Sequence, residues 1–345
     1  MVSILAVIAS ACTTSSPPGT VRLSPGTDVV GTILAITQPG GSSPIVAFRL
    51  PGEIVSPISS STRVPTATYT VTHASAPDPS GGVDLLATDE HNSAGVYRLA
   101  TGGVTSRVGP LLKVGAPKPF FSLGIAGDMA VVGGCSRVWT LSLSRPAAWT
   151  PVGSGCWAGI SPNGKSLVYS PDGSAIYKKR IGGGHAVKLL DTTALSSVFP
   201  AGMPEPVLVG PPAWGPNGIA FAVRSGGFVA VVIRDASGHV QTVVREAYVN
   251  HSQLPRLAWQ PNGSLLAIAD NLGPSGGVLR LYDPEAKDLR AMGLDLLGFS
   301  QPLWSPDGNS IATLTSSNAL IVLDVRGDWH LRVETRWRDL LAWTS

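Results

Sequence analysis

Apolar residues in this chain fall into short runs that are apolar at nearly every position: residues 32–37, 83–88, 129–132, 166–169, 219–223, 265–269 and 311–314. Continuous apolar character, rather than alternation, marks a strand covered on both faces. Each run is followed by a second strand-like segment, at residues 44–50, 95–100, 137–144, 175–180, 228–234, 278–282 and 319–325. These second segments end at turn signals such as Pro51-Gly52, Gly102-Gly103, Gly182-Gly183-Gly184 and Arg326-Gly327. Glycine and aspartate supply the backbone angles that tight hairpins require. The pattern predicts a unit of apolar strand, loop, strand, turn and strand, repeated seven times from residue 28 onward.

A recurrent block precedes the later runs. Trp214-Gly215-Pro216-Asn217-Gly218, Trp259-Gln260-Pro261-Asn262-Gly263 and Trp304-Ser305-Pro306-Asp307-Gly308 set their tryptophans 45 residues apart. A fourth copy, Ile160-Ser161-Pro162-Asn163-Gly164, has its tryptophan displaced to Trp157. A fixed period of this length is the mark of a repeat architecture. Proline fixes its own φ, Asn or Asp bonds to nearby backbone, and glycine takes the left-handed position, so the block is expected to end an innermost strand. Its tryptophan is expected to wedge between sheets. Trp343 begins one more copy that the chain does not finish, and the first unit starts at its apolar run with no tryptophan before it. These complementary defects predict that the C-terminal strand completes the first sheet and closes a ring. Residues 66–73 and 120–125 read as degenerate copies, and residues 191–212 as an inserted loop of the kind that carries binding.

The Ser-Pro-Asp-Gly and Pro-Asn-Gly blocks resemble the WD-like repeats of TolB-type β-propellers, with four clear copies from Trp157 to the C-terminus. The resemblance implies an all-β fold over residues 28–345: a single propeller of seven blades, each of four antiparallel strands, with six or eight blades as alternatives. It says little about function, since the family includes periplasmic binding scaffolds, propeller portions of peptidases and actinobacterial lipoproteins. No counterpart of TolB's separate α/β domain is expected in residues 13–30, so its role in envelope assembly does not carry over.

Composition agrees with short strands and tight turns. Of 345 residues only 14% are charged, while glycine (40) and proline (29) are plentiful. The net charge of +3 is too small to indicate a polyanion, and no nucleic-acid partner is expected. The basic stretch at residues 332–338 fits an outer strand with its arginines in water. Residues 1–12 are uncharged, mostly apolar and end Ala9-Ser10-Ala11-Cys12, which resembles a signal peptide with a lipobox. No basic residue precedes the apolar run, and Ala9 stands where leucine is usual. Acylation of Cys12, followed by a Ser/Thr/Pro-rich tether over residues 13–27, would anchor an exported domain at the outer face of the cytoplasmic membrane.

Candidate chemistry is sparse. Cys135 and Cys156 are a candidate disulfide between neighbouring sheets. Gly273-Pro274-Ser275-Gly276-Gly277 matches a hydrolase elbow literally, but it joins two strands and reads as a hairpin loop. The most polar loops hold Asp89, Glu90, His91 and Asn92, with Asp270, Asn271 and Asn318 at equivalent points of later units, as contacts on a ligand-bearing face. No cofactor, metal site or catalytic residue is assigned. The expectation is a non-enzymatic envelope lipoprotein that binds a protein or another envelope component. The alternative is a propeller hydrolase or lyase for glycan or peptide, which would gather Asp, Glu, His or Arg at the channel mouth.

Overall fold

The computed structural model describes residues 22–23, 31–37, 45–50, 53–55, 70–74, 83–88, 93–99, 105–113, 120–134, 136–247, 253–261, 263–273, 276–292, 301–315, 317, 319–326, 329–334 and 337–344. Apart from one short helix, the regular structure among them is antiparallel β-sheet.

After β1 (Arg22–Leu23) come β2 (Gly31–Thr37), β3 (Ile45–Leu50) and β4 (Glu53–Val55). Three four-stranded sheets follow in chain order: β5 (Thr70–Ala74), β6 (Val83–Thr88), β7 (Ser93–Leu99) and β8 (Thr105–Lys113); β9 (Phe120–Ala126), β10 (Met129–Gly134), β11 (Arg137–Ser142) and β12 (Thr150–Gly153); and β13 (Trp157–Ile160), β14 (Ser166–Ser170), β15 (Ala175–Arg180) and β16 (Val187–Asp191). In the next sheet β17 (Val207–Leu208) and β18 (Ala213–Gly215) both pair with β19 (Gly218–Ser225), which leads to β20 (Phe228–Arg234) and β21 (Val240–Ala247). Then come β22 (Gln253–Trp259), β23 (Leu266–Gly273), β24 (Gly276–Asp283) and β25 (Asp288–Ala291). The sheet of β26 (Leu303–Trp304), β27 (Ser310–Leu314), β28 (Ala319–Asp324) and β29 (Trp329–Glu334) takes β1 on its outer edge. Finally β30 (Trp337–Thr344) pairs antiparallel with β2, giving the order β30-β2-β3-β4.

The apolar runs become β2, β6, β10, β14, β19, β23 and β27, each with a strand on either side. Every residue of β27 is buried, and in β19 only Arg224 is exposed, which is the burial that continuous apolar sequence demands. The core lies between sheets. Ile33 and Phe48 of one sheet share a cluster with Leu314 and Val322 of its neighbour, joined by Trp337, Leu340 and Trp343 of β30. Burying each such side chain contributes about 1.5–3 kcal/mol.

The first strands of successive sheets also touch one another. β5 contacts β9, β9 contacts β13, β13 contacts β18, β18 contacts β22, β22 contacts β26, β26 contacts β30, and β30 contacts β5.

Three stretches differ from expectation. Residues 191–212 are only in part the expected loop: residues 200–205 are irregular and exposed, whereas Thr192–Val198 form a 3₁₀ helix whose first turn is capped by the Asp191 carboxylate. Leu195 and Phe199 are buried beside Val168 and Phe221, and Arg245 donates 2.7 Å to the Val198 carbonyl. Leu195 and Phe199 of the insertion fill the gap between two sheets, while Met203 stays exposed. The basic stretch is divided between strands, with Arg332 exposed on β29 and Trp337 buried on β30, its ring edge-on to Phe48 at 5.8 Å between centroids. Arg22 and Leu23, inside the stretch read as a tether, pair with Arg332 and Leu331.

Candidate functional site

The tryptophan blocks build the site, and their local bonding explains their sequence. In the Trp304 copy, the Ser305 hydroxyl donates 2.6 Å to Asp307 Oδ1, and the same carboxylate oxygen accepts from the Asn309 amide at 3.0 Å. Ser305 Oγ also accepts the Ser310 amide at 2.9 Å, and Gly308 takes φ +76°. Ser161 and Asn163 repeat the arrangement, with Ser161 Oγ to Asn163 Oδ1 at 2.8 Å and the Ser166 amide to Ser161 Oγ at 2.9 Å. In the Trp259 copy, Gln260 Oε1 accepts the Leu265 amide at 3.0 Å. Hydrogen bonds, led by that of Ser305, hold the Asp307 carboxyl below its ordinary pKa against a smaller opposing effect of burial.

The same blocks join neighbouring sheets. Trp259 Nε1 donates 3.1 Å to the Ala213 carbonyl, and Trp304 Nε1 donates 2.9 Å to that of Ala258. Gln260 Nε2 donates 2.7 Å to the Gly308 carbonyl, and Asn217 Nδ2 donates to that of Gly263. Gly215 stands where the other copies carry Ser or Gln, and a Cβ there would lie 2.4 Å from the Trp259 ring. A glycine is needed because the next sheet's indole occupies that space. Trp157 and Trp214 are half-buried against the core between their sheets, and Lys178 Nζ sits 5.2 Å from the centre of the Trp214 ring.

Four first strands, β9, β13, β18 and β22, line a half-open cavity of about 460 Å³. Each ends its sheet or pairs with one strand only, so its second edge has no strand partner among the described residues. Prolines recur along the wall, with Pro162, Pro211, Pro212, Pro216, Pro255 and Pro261 all contributing. Arg256 is the one ionisable side chain among the described lining residues, and it is exposed. Pro211, Arg256 and Gln301 all lie three residues before a tryptophan of the repeat and all line the cavity. Sequence reasoning missed Arg256. Counting back from each tryptophan along the innermost strand would have found it.

The expected ligand-face residues fare differently. Asp89, Glu90, His91, Asn92 and Asn318 lie outside the described residues, as do Cys12 and Cys135. Asp270 and Asn271 are not in a loop but within β23, opposite Val278 and Gln253 respectively. The Asp270 side chain is fully buried and bonded to Arg280 of β24, which also reaches Glu246 of β21 in the adjacent sheet at 2.5 Å. Pairing satisfies this buried charge, and the triad ties two sheets together. Asp84 is likewise buried and gripped by Arg98 through two 2.9 Å bonds. Cys156 is half-buried just before β13, with its carbonyl accepting 3.0 Å from the Ser122 hydroxyl. Among the described residues no three of His, Cys, Asp and Glu are grouped to hold a metal ion.

These observations define an all-β protein of propeller-like fold. No protein-family model matches the chain, and no curated protein sequence matches it. Solved structures share the fold. TolB from Acinetobacter baumannii is 14% identical with a TM-score of 0.50, over 91% of this chain and 67% of that one. A proposed 6-phosphogluconolactonase from Bacteroides fragilis is 15% identical at 0.56, over 92% and 99%. A prolyl endopeptidase is 10% identical at 0.54, over 88% of this chain and half (50%) of that longer one. At these identities the likeness is one of fold.

Proposed function

We propose that this protein is a non-enzymatic propeller of the cell envelope, anchored by a lipid on Cys12, that binds a protein or another envelope component at the cavity formed by its first strands. The observation that carries this reading is the cavity wall, where the described side chains offer one cation and no acid–base pair. A hydrolase or lyase needs an acid and a base within reach of the reacting bond. A rigid wall of proline and strand edge suits recognition instead.

Finer readings of the fold support this role. The seven sheets are taken as the blades of one closed ring, with β30 as the innermost strand of the blade that begins at β2, because first-strand contacts run from β5 through β30 and back to β5. Cys135 and Cys156 are taken as a bridge between the second and third four-stranded sheets. Gly133, two residues before Cys135, lies so near Cys156 that a Cβ on it would stand 2.4 Å from the Cys156 carbonyl oxygen.

Three measurements test the proposal. Cys12→Ser should release the protein from the membrane fraction and abolish labelling by a clickable fatty acid. A partner captured by wild type should be lost on Arg256→Glu. A panel of peptides and glycans should be recovered unchanged, and turnover would overturn the reading.

A further inference from the structure

We infer that the cavity takes the free C-terminal end of an extended peptide, with its carboxylate on Arg256; this rests on the binding role just proposed. Charge comes first. Arg256 is exposed at the wall, and among the described residues no hydrogen bond or ion pair engages its guanidinium. A planar guanidinium meets a carboxylate through two parallel bonds. One cation balances one negative charge, so a polyphosphate would bring too much charge and a neutral sugar would leave the guanidinium uncompensated.

Backbone chemistry narrows the class further. β9, β13, β18 and β22 each pair with a strand on one edge only, and together they form the wall. Strand edges without a second strand offer amide donors and carbonyl acceptors in the spacing that an extended peptide presents, although the Ala213 and Ala258 carbonyls already accept the Trp259 and Trp304 indoles and the Ala158 amide donates to the Ser122 hydroxyl. Pro211 and the Trp214 ring, both partly exposed, add apolar surface for the peptide's side chains. The volume of about 460 Å³ falls in the range of sites that enclose a whole small ligand. A chain end brings its carboxylate on the backbone itself, in line with the strand edges, where an internal Asp or Glu would have to reach Arg256 with its side chain.

The experiment uses the folded protein and two pools of fluorescein-labelled peptides with a Gly-Ser spacer and randomised apolar positions. One pool ends in a free carboxylate and the other in an amide, and binding is read by anisotropy. Wild type should bind the acid pool at least about tenfold more tightly than the amide pool, on the scale of a charge-assisted contact. Arg256→Gln should bring the acid pool to the level of the amide pool, and Arg256→Lys should keep part of the preference. Equal binding of the two pools, binding of neither, or a preference that survives Arg256→Gln would overturn the inference. Mass spectrometry of the recovered peptides separates the two ideas: cleaved peptide overturns the non-enzymatic role, whereas intact peptide bound without acid preference overturns only the carboxylate assignment.

Discussion

The indole N–H of Trp304 donates 2.9 Å to the carbonyl of Ala258, one residue before Trp259, and Trp259 repeats the gesture to Ala213, one residue before Trp214. Both tryptophans therefore bond back into the preceding sheet. Trp304→Phe keeps most of the packing and removes the donor, leaving a part-buried carbonyl unpaired. The expected cost is about 1–3 kcal/mol. Trp304→Ala should cost about 3–5 kcal/mol, since it also opens a cavity. Urea unfolding midpoints of both variants check this order.

Arg280 stands between Asp270 and Glu246, with the Asp270 side chain fully out of solvent. Replacing Asp270 with Leu leaves Arg280 short of its most buried partner and should cost about 3–5 kcal/mol. Asp270→Leu combined with Arg280→Met should recover a large part of that loss in the same denaturation assay. A double variant no more stable than the single would show that the pair is not the cause.

Asp307 titrates below the ordinary carboxylate range because of the Ser305 hydroxyl and the Asn309 amide. A folded pKa depressed below the unfolded value of about 3.9 contributes stability that is fully present above that value. It is lost as pH falls through the folded pKa. Asp307→Asn should therefore flatten the acid limb of the stability curve below about pH 4. Thermal midpoints from pH 7 downward, wild type against variant, test the sign.

A bridge between Cys135 and Cys156 would contribute about 3 kcal/mol on loop-entropy grounds. Oxidised protein should resist alkylation under denaturing conditions, and reduction should lower its unfolding midpoint. Two alkylatable thiols before reduction would count against the bridge.

Leu340 and Trp343 of β30 are buried with Ile33 and Phe48 of the sheet it joins. Deleting residues 339–345 should therefore lower the unfolding midpoint sharply, and Trp343→Ala alone should cost about 3–5 kcal/mol. An unchanged midpoint would sink the closed-ring reading.

The strand framework was largely legible in the sequence, because it depends on local patterns. The run at residues 83–88 is β6 without adjustment, and the segments at 175–180 and 228–234 are β15 and β20. What escaped was nonlocal. Asp270 reads as a polar loop residue because its partner Arg280 is visible only once β23 and β24 are paired and β21 lies beside them. The insertion reads as a loop because its prolines signal turns, whereas Leu195 and Phe199 find their neighbours in two other sheets. Arg256 looks like an ordinary strand residue, and only the approach of other first strands makes its position the wall of a cavity.

Pro211, Arg256 and Gln301 each stand three residues before a repeat tryptophan, and none enters the side-chain bonds that fix the turns or join the sheets. The frame and this wall position are thus written at different places in the repeat. Charge, hydrogen bonding or apolar surface can be exchanged at this one position, sheet by sheet, while the tryptophans and glycines that hold the fold stay as they are. On the binding role proposed above, such a cavity would be an addressable surface, in which one letter per repeat specifies the guest.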